Sequence, residues 1–152
     1  MKLAEALLLR SDLQKKIASL RDRIVSNAVV QQGDKPHEKP AELMKQAVGA
    51  LGDLEELVTK INRTNLKAKL PDGRSLTEAI AHRDTLAAQH ALYIAAIAGS
   101  KKEPDRYSAR EIKWVATLEV AKLQKQADDL AKKLRELNGH IQKTNWSADL
   151  GG

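Results

Sequence analysis

Apolar residues recur along this chain at alternating steps of three and four, in four separate runs. Leu3, Ala6, Leu13, Ile17, Leu20 and Ile24 form the first, with Arg10 standing in the same seam. Leu43, Ala47, Ala50, Leu54, Leu57, Ile61 and Thr64 form the second. The third is Leu76, Ala79, Arg83, Leu86, His90, Tyr93 and Ile97, and the fourth is Leu123, Ala127, Leu130, Leu134, Leu137, Ile141 and Thr144. Such spacing keeps one stripe of an α-helix apolar. It predicts helices over 3–25, 41–65, from Leu76 to the break at "GSKKEPD", and over 119–145. "GDKPHEKP" and "LPDGRS" separate the others with turn chemistry. Pro40 suits a first helical turn. Ser75-Leu76-Thr77-Glu78 reads as a capping box, and Ser108-Ala109-Arg110-Glu111 as a second. Asn27 to Gln32 reads as a short extended piece. "IKWVATLEV" is dense in β-branched residues and reads as either a helical turn or a strand. The stretches 28–32 and 112–118 are thus the candidates for a small β element.

The helices rhyme in pairs. Residues 54–70 align with 134–150 at an offset of 80, with Leu54/Leu134, Glu56/Glu136, Leu57/Leu137, Ile61/Ile141, Thr64/Thr144, Asn65/Asn145, Ala68/Ala148 and Leu70/Leu150 identical. At an offset of 73, Leu3/Leu76, Glu5/Glu78, Ala6/Ala79, Arg10/Arg83 and Leu13/Leu86 are identical. Each half therefore reads as one αα-hairpin, the first over about 3–70 and the second over about 76–150. One hairpin cannot cover its own apolar stripe, but two can. The predicted fold is all-α: an antiparallel four-helix bundle in a single helical domain over 1–152. Antiparallel pairing brings Glu5 and Arg10 near Thr64 and Asn65. It likewise brings Glu78 and Arg83 near Thr144 and Asn145, and a pseudo-twofold axis would gather both clusters at one end.

Composition agrees with helix-on-helix packing. Of 152 residues, 42% are apolar and only 3% aromatic, with no Phe, so the core must come from Leu, Ile, Val and Ala. The net charge is +6, but 20 acidic residues lie among 26 basic ones, as on a solvated helical surface. No cysteine is present, which excludes disulfides, thiol nucleophiles and Cys-ligated metals. Glu5 and Arg10 interrupt the apolar part of "MKLAEALLLRSDL", so it does not read as a signal peptide, and "ALYIAAIAG" is too short to span a bilayer. The expected setting is the cytoplasm.

Several pieces also carry a family likeness. "NRTN", "DGRSLTEAI", "DRYSAREIKWV", "LQKQADDLAKKLREL" and "IQKTNW" resemble a family of small helical bacterial proteins labelled septicolysin, over nearly the whole chain. The resemblance implies a bacterial cytoplasmic helical protein and brings no catalytic residues with it. The label suggests a cytolytic toxin. A pore-former, however, calls for an export signal or a membrane-inserting amphipathic segment, and neither is legible.

Candidate chemistry is sparse. Arg10 and Arg83 on apolar seams require partners. One reading pairs them with Glu5, Glu78 or Asn carbonyls to fix helix register. The other makes a twinned anion site of Glu5, Arg10, Thr64, Asn65, Glu78, Arg83, Thr144 and Asn145, whose guanidinium forks and amides would hold phosphate or carboxylate. The Thr-Asn pairs also suit helix ends. His82 and His90 lie on different sides of one helix, and the Glu-x-x-His pair of di-metal bundles is absent, so no metal and no cofactor is expected. "DRYSAREIKW" interleaves Arg106, Tyr107, Arg110, Lys113 and Trp114, which suits a capped helix start or weak nucleic-acid contact. No catalytic motif stands out. The first functional expectation is a non-enzymatic structural or interaction protein that self-associates, coiled-coil fashion, into a homo-oligomer. Leu43, Met44, Val48, Leu51 and Val58 on the second helix exceed one seam and suit a partner surface. An anionic-ligand binder comes second and a weak nucleic-acid binder third; a membrane is not among the expected partners.

Overall fold

The structure, a computed structural model, describes residues 1–101 and 113–151. The fold is all-α, with four long helices: α1 (Leu3–Ser26), α2 (Pro40–Lys67), α3 (Leu76–Gly99) and α4 (Val120–Ser147). α1 and α3 are both 24 residues long, and α2 and α4 are both 28. The repeat legible in the sequence is therefore a repeat in helix length as well.

No strand occurs among the described residues, which corrects the expected β element. Residues 28–32 form a loop in which Val29 and Val30 are exposed, and 113–118 are irregular. A short extended piece persists as sheet only beside another strand that takes up its backbone groups. One β-type contact is an isolated antiparallel bridge between Lys2 and Asp149. Residue 112, the second capping box and Arg106, Tyr107 and Arg110 lie outside the described residues.

The chain groups into two compact units: Met1–Lys69 with Gln142–Gly152, and Leu70–Ile141. In the first, α1 and α2 pair as an antiparallel hairpin. Leu20 and Ile24 of α1 pack against Leu43 and Ala47 of α2. The loop between them is tied at its base. The Asn27 side chain donates to the Arg23 carbonyl at 2.9 Å and accepts from the Glu38 N–H at 3.0 Å. Arg23 Nε donates to Glu38 Oε2 at 2.8 Å, and this pairing holds the Glu38 carboxyl below its usual range. Leu3, Leu20 and Ile61 are fully buried, each contributing roughly 1.5–3 kcal/mol through area removed from water.

In the second unit, α3 opens with the expected capping box. The Ser75 N–H donates to Glu78 Oε2 at 2.7 Å and the Glu78 N–H donates to Ser75 Oγ at 3.2 Å. The turn before it runs from Leu70 to Arg74. The Gly73 N–H donates to the Leu70 carbonyl at 2.9 Å and the Leu70 N–H to the Arg74 carbonyl at 2.8 Å. Gly73 takes φ +88, a left-handed conformation that glycine adopts freely. Leu76, Ala79, Leu86 and Ile97 of α3 are buried, as are Ala127, Leu130, Leu137 and Ile141 of α4.

Candidate interaction surface

α2 buries Leu43, Ala47, Ala50, Leu57, Ile61 and Thr64, the inner stripe that the sequence predicts. Beside it the helix keeps a second, exposed apolar stripe. Met44 is 51% exposed, Val48 61% and Leu51 50%. Their spacing, i, i+4 and i+7, sets them on one face. Gly49 and Gly52 lie among them with nothing within 4 Å of an added Cβ, so no packing inside the chain explains either glycine. Lys45 and Glu55 border the stripe and are exposed, and neither makes an ion pair among the described residues.

α4 supplies an internal control. At the offset of 80, Met44, Val48 and Leu51 correspond to Gln124, Asp128 and Ala131. There, Gln124 Nε2 donates to Asp128 Oδ1 at 3.0 Å, both side chains exposed. α4 therefore keeps a polar face at these positions, where α2 keeps an apolar one.

The sequence-predicted polar residues divide between the units. Glu5, Arg10, Thr64, Asn65, Thr144 and Asn145 belong to the first, Glu78 and Arg83 to the second. The chain ends bring part of the first group together. The Leu3 N–H donates to the Ala148 carbonyl and the Leu150 N–H to the Met1 carbonyl, both at 2.9 Å. Lys2 Nζ meets Asp149 Oδ1 at 2.7 Å, and this contact holds the Asp149 carboxyl below its usual range. The Gly151 N–H donates to Thr64 Oγ1 at 3.0 Å, and Thr64 Oγ1 donates to the Lys60 carbonyl at 2.9 Å. Thr64, Thr144 and Asn145 are buried.

Both glutamates act at helix starts. Glu5 Oε2 accepts from the Lys2 N–H at 2.6 Å, as Glu78 accepts from Ser75. The Thr carbonyls serve helix ends in the same way twice: the Ala68 N–H donates to Thr64 O and the Ala148 N–H to Thr144 O, both at 2.8 Å. The two arginines are half-buried rather than enclosed on their seams. A long side chain on a seam can lay its stem along apolar surface while its charged head reaches water. Arg83 pairs with its neighbour Asp84, with Nη2 to Oδ1 at 2.8 Å.

Residues 10–150 match the model of a family of unknown function, DUF6847. This chain belongs to DUF6847. A crystal structure of a functionally unknown conserved protein from Corynebacterium diphtheriae superposes with a TM-score of 0.92 at 36% identity, covering 99% of each chain. No curated protein matches. The four-helix fold is thus shared, and membership of DUF6847 brings no assigned chemistry to any residue.

One feature of this DUF6847 chain escapes sequence reasoning. An open apolar groove of about 360 Å³ lies against α1 and α2, formed by Met1, Leu9, Leu13, Leu57 and Leu150, with Asp53, Glu56 and Lys60 at its rim. The signal was Leu9, apolar where the repeat has His82, but only the fold brings Met1 and Leu150 beside it. Among the described residues, no helix is long and apolar enough to cross a membrane, and no three His, Asp or Glu side chains group as a metal would require.

Proposed function

We propose that the protein is a non-enzymatic interaction module whose copies associate through the outer face of α2. One observation carries this reading: Met44, Val48 and Leu51 stay half-exposed or more, where the equivalent face of α4 has a hydrogen-bonded polar pair. Contiguous apolar surface kept against its solvation cost marks an interaction site. Sedimentation velocity across a range of concentrations tests it. Reversible association is expected, and a monomer at every concentration would refute the reading. A bacterial cytoplasmic setting is part of the proposal, supported by the Corynebacterium neighbour and the cysteine-free sequence. Fractionation of the source cells tests that part.

A second reading, a site for a phosphate-bearing ligand, is favoured by Arg10. It is half-buried, makes no ion pair among the described residues, and shares its unit with Lys2, Asn65 and Asn145. Inorganic phosphate should then raise the melting temperature of the wild type and not of Arg10→Met. Equal responses of the two would exclude it.

A further inference from the structure

We infer that the partner of the α2 outer face is the same face of a second copy, laid antiparallel about a twofold axis that crosses this face at the level of Leu51, one residue past the inward-facing Ala50. This inference rests on the self-association proposed above and adds its geometry. A twofold dimer requires a patch that complements itself. The α2 face has that property in one orientation only. Lys45 stands five residues before Ala50 and Glu55 five after it. Antiparallel pairing therefore sets Lys45 of each copy by Glu55 of the other, twice. Parallel pairing sets Lys45 on Lys45 and Glu55 on Glu55.

Bulk follows charge. Val48 stands two residues before Ala50 and Gly52 two after it. Antiparallel pairing lays the Val48 side chain of one copy over the bare backbone at Gly52 of the other, where the space is open. The two Leu51 side chains then pack across the axis, and Met44 reaches Val58 of the second copy. A glycine inside an exposed helical stretch disfavours the helix. Its place in this stripe is explained once a second helix must approach closely.

The test uses the full chain. Lys45→Glu and Glu55→Lys should each weaken dimerisation by about tenfold, and the double exchange should restore it to within about threefold. Singles that weaken without rescue by the double would overturn the antiparallel arrangement. Val48→Arg should weaken association by more than about 100-fold, because it inserts a charge into an apolar contact. At a concentration where the wild type is monomeric, its melting curve should match the wild type, since the position is exposed in the monomer. Dimerisation unchanged in Val48→Arg would overturn this inference while leaving self-association to another face. A wild type that never dimerises would overturn both. The chain has no cysteine, so Leu51→Cys alone reports on the axis. It should give a disulfide-linked dimer on mild oxidation, whereas Gln124→Cys on α4 should not. Equal yields from the two would also overturn the inference.

Discussion

α2 and α4 are the same helix twice on the inside and two different helices on the outside. Their buried positions agree: Ala47 with Ala127, Leu57 with Leu137, Ile61 with Ile141, Thr64 with Thr144. Their outer faces do not, with Met44 and Val48 answered by Gln124 and Asp128. Packing constrains the first set, because interiors are filled to near crystal density and a missing methylene is felt. Nothing in the hairpin constrains the second set. The difference separates what the fold needs from what the molecule carries beyond it.

The largest expected effect tests the shared interior. Ile61→Ala and Ile141→Ala should each cost about 3 kcal/mol in denaturant unfolding, since both side chains are buried. Costs that differ by more than about 1.5 kcal/mol would break the equivalence of the two helices. Next comes an exchange of outer faces. Met44→Gln with Val48→Asp gives α2 the α4 residues. It should abolish self-association while changing stability by less than about 1 kcal/mol. If stability falls further, the stripe is part of the core after all. Gln124→Met with Asp128→Val is the reverse exchange, and gel filtration should show new association through α4.

A smaller effect sharpens the comparison at the helix starts. Ser75 and Lys2 are equivalent cap positions, but only Ser75 accepts a hydrogen bond with its side chain. Ser75→Ala should cost about 1 kcal/mol. Lys2→Ala loses a largely exposed ion pair to Asp149 and a hydrogen bond to the Ser147 carbonyl at 3.2 Å, and should cost less than Ser75→Ala. Equal costs would mean the Lys2 contact matters more than its exposure indicates.

The smallest effect is a pH dependence. Asp149 is held below its usual range by Lys2, Asp72 by Arg74, Glu38 by Arg23 and Glu56 by Lys60. A carboxyl whose folded pKa is lowered stabilises the fold above its unfolded pKa and loses that contribution as pH falls through the folded one. The melting temperature should therefore be level from about pH 7 to pH 5 and fall by a few degrees below about pH 4. A level curve down to about pH 3 would show that these surface pairs contribute nothing.

Much of the fold was legible. The steps of three and four placed all four helices, because an apolar stripe is the one property every packed helix must display. Pro40, Ser75 and Gly73 marked starts and turns by local chemistry that needs no tertiary context. Where legibility failed, context decided. Arg10 and Arg83 fell on the seam by spacing, but a long side chain at a seam edge can turn to water. Val29 and Val30 have strand character and no strand beside them. The Glu residues of the predicted site are in place, but they cap helices, a role that the same Leu-x-Glu-Ala pattern serves. The apolar groove needed Met1 and Leu150, which stand near opposite ends of the printed sequence.

Those two residues carry a last consequence. The Leu150 N–H to Met1 carbonyl bond at 2.9 Å is the counterpart, at offsets of 80 and 73, of the Leu70 N–H to Arg74 carbonyl bond at 2.8 Å. The same backbone pairing thus follows each of the two long helices, once across a Pro-Asp-Gly turn and once between segments far apart in sequence.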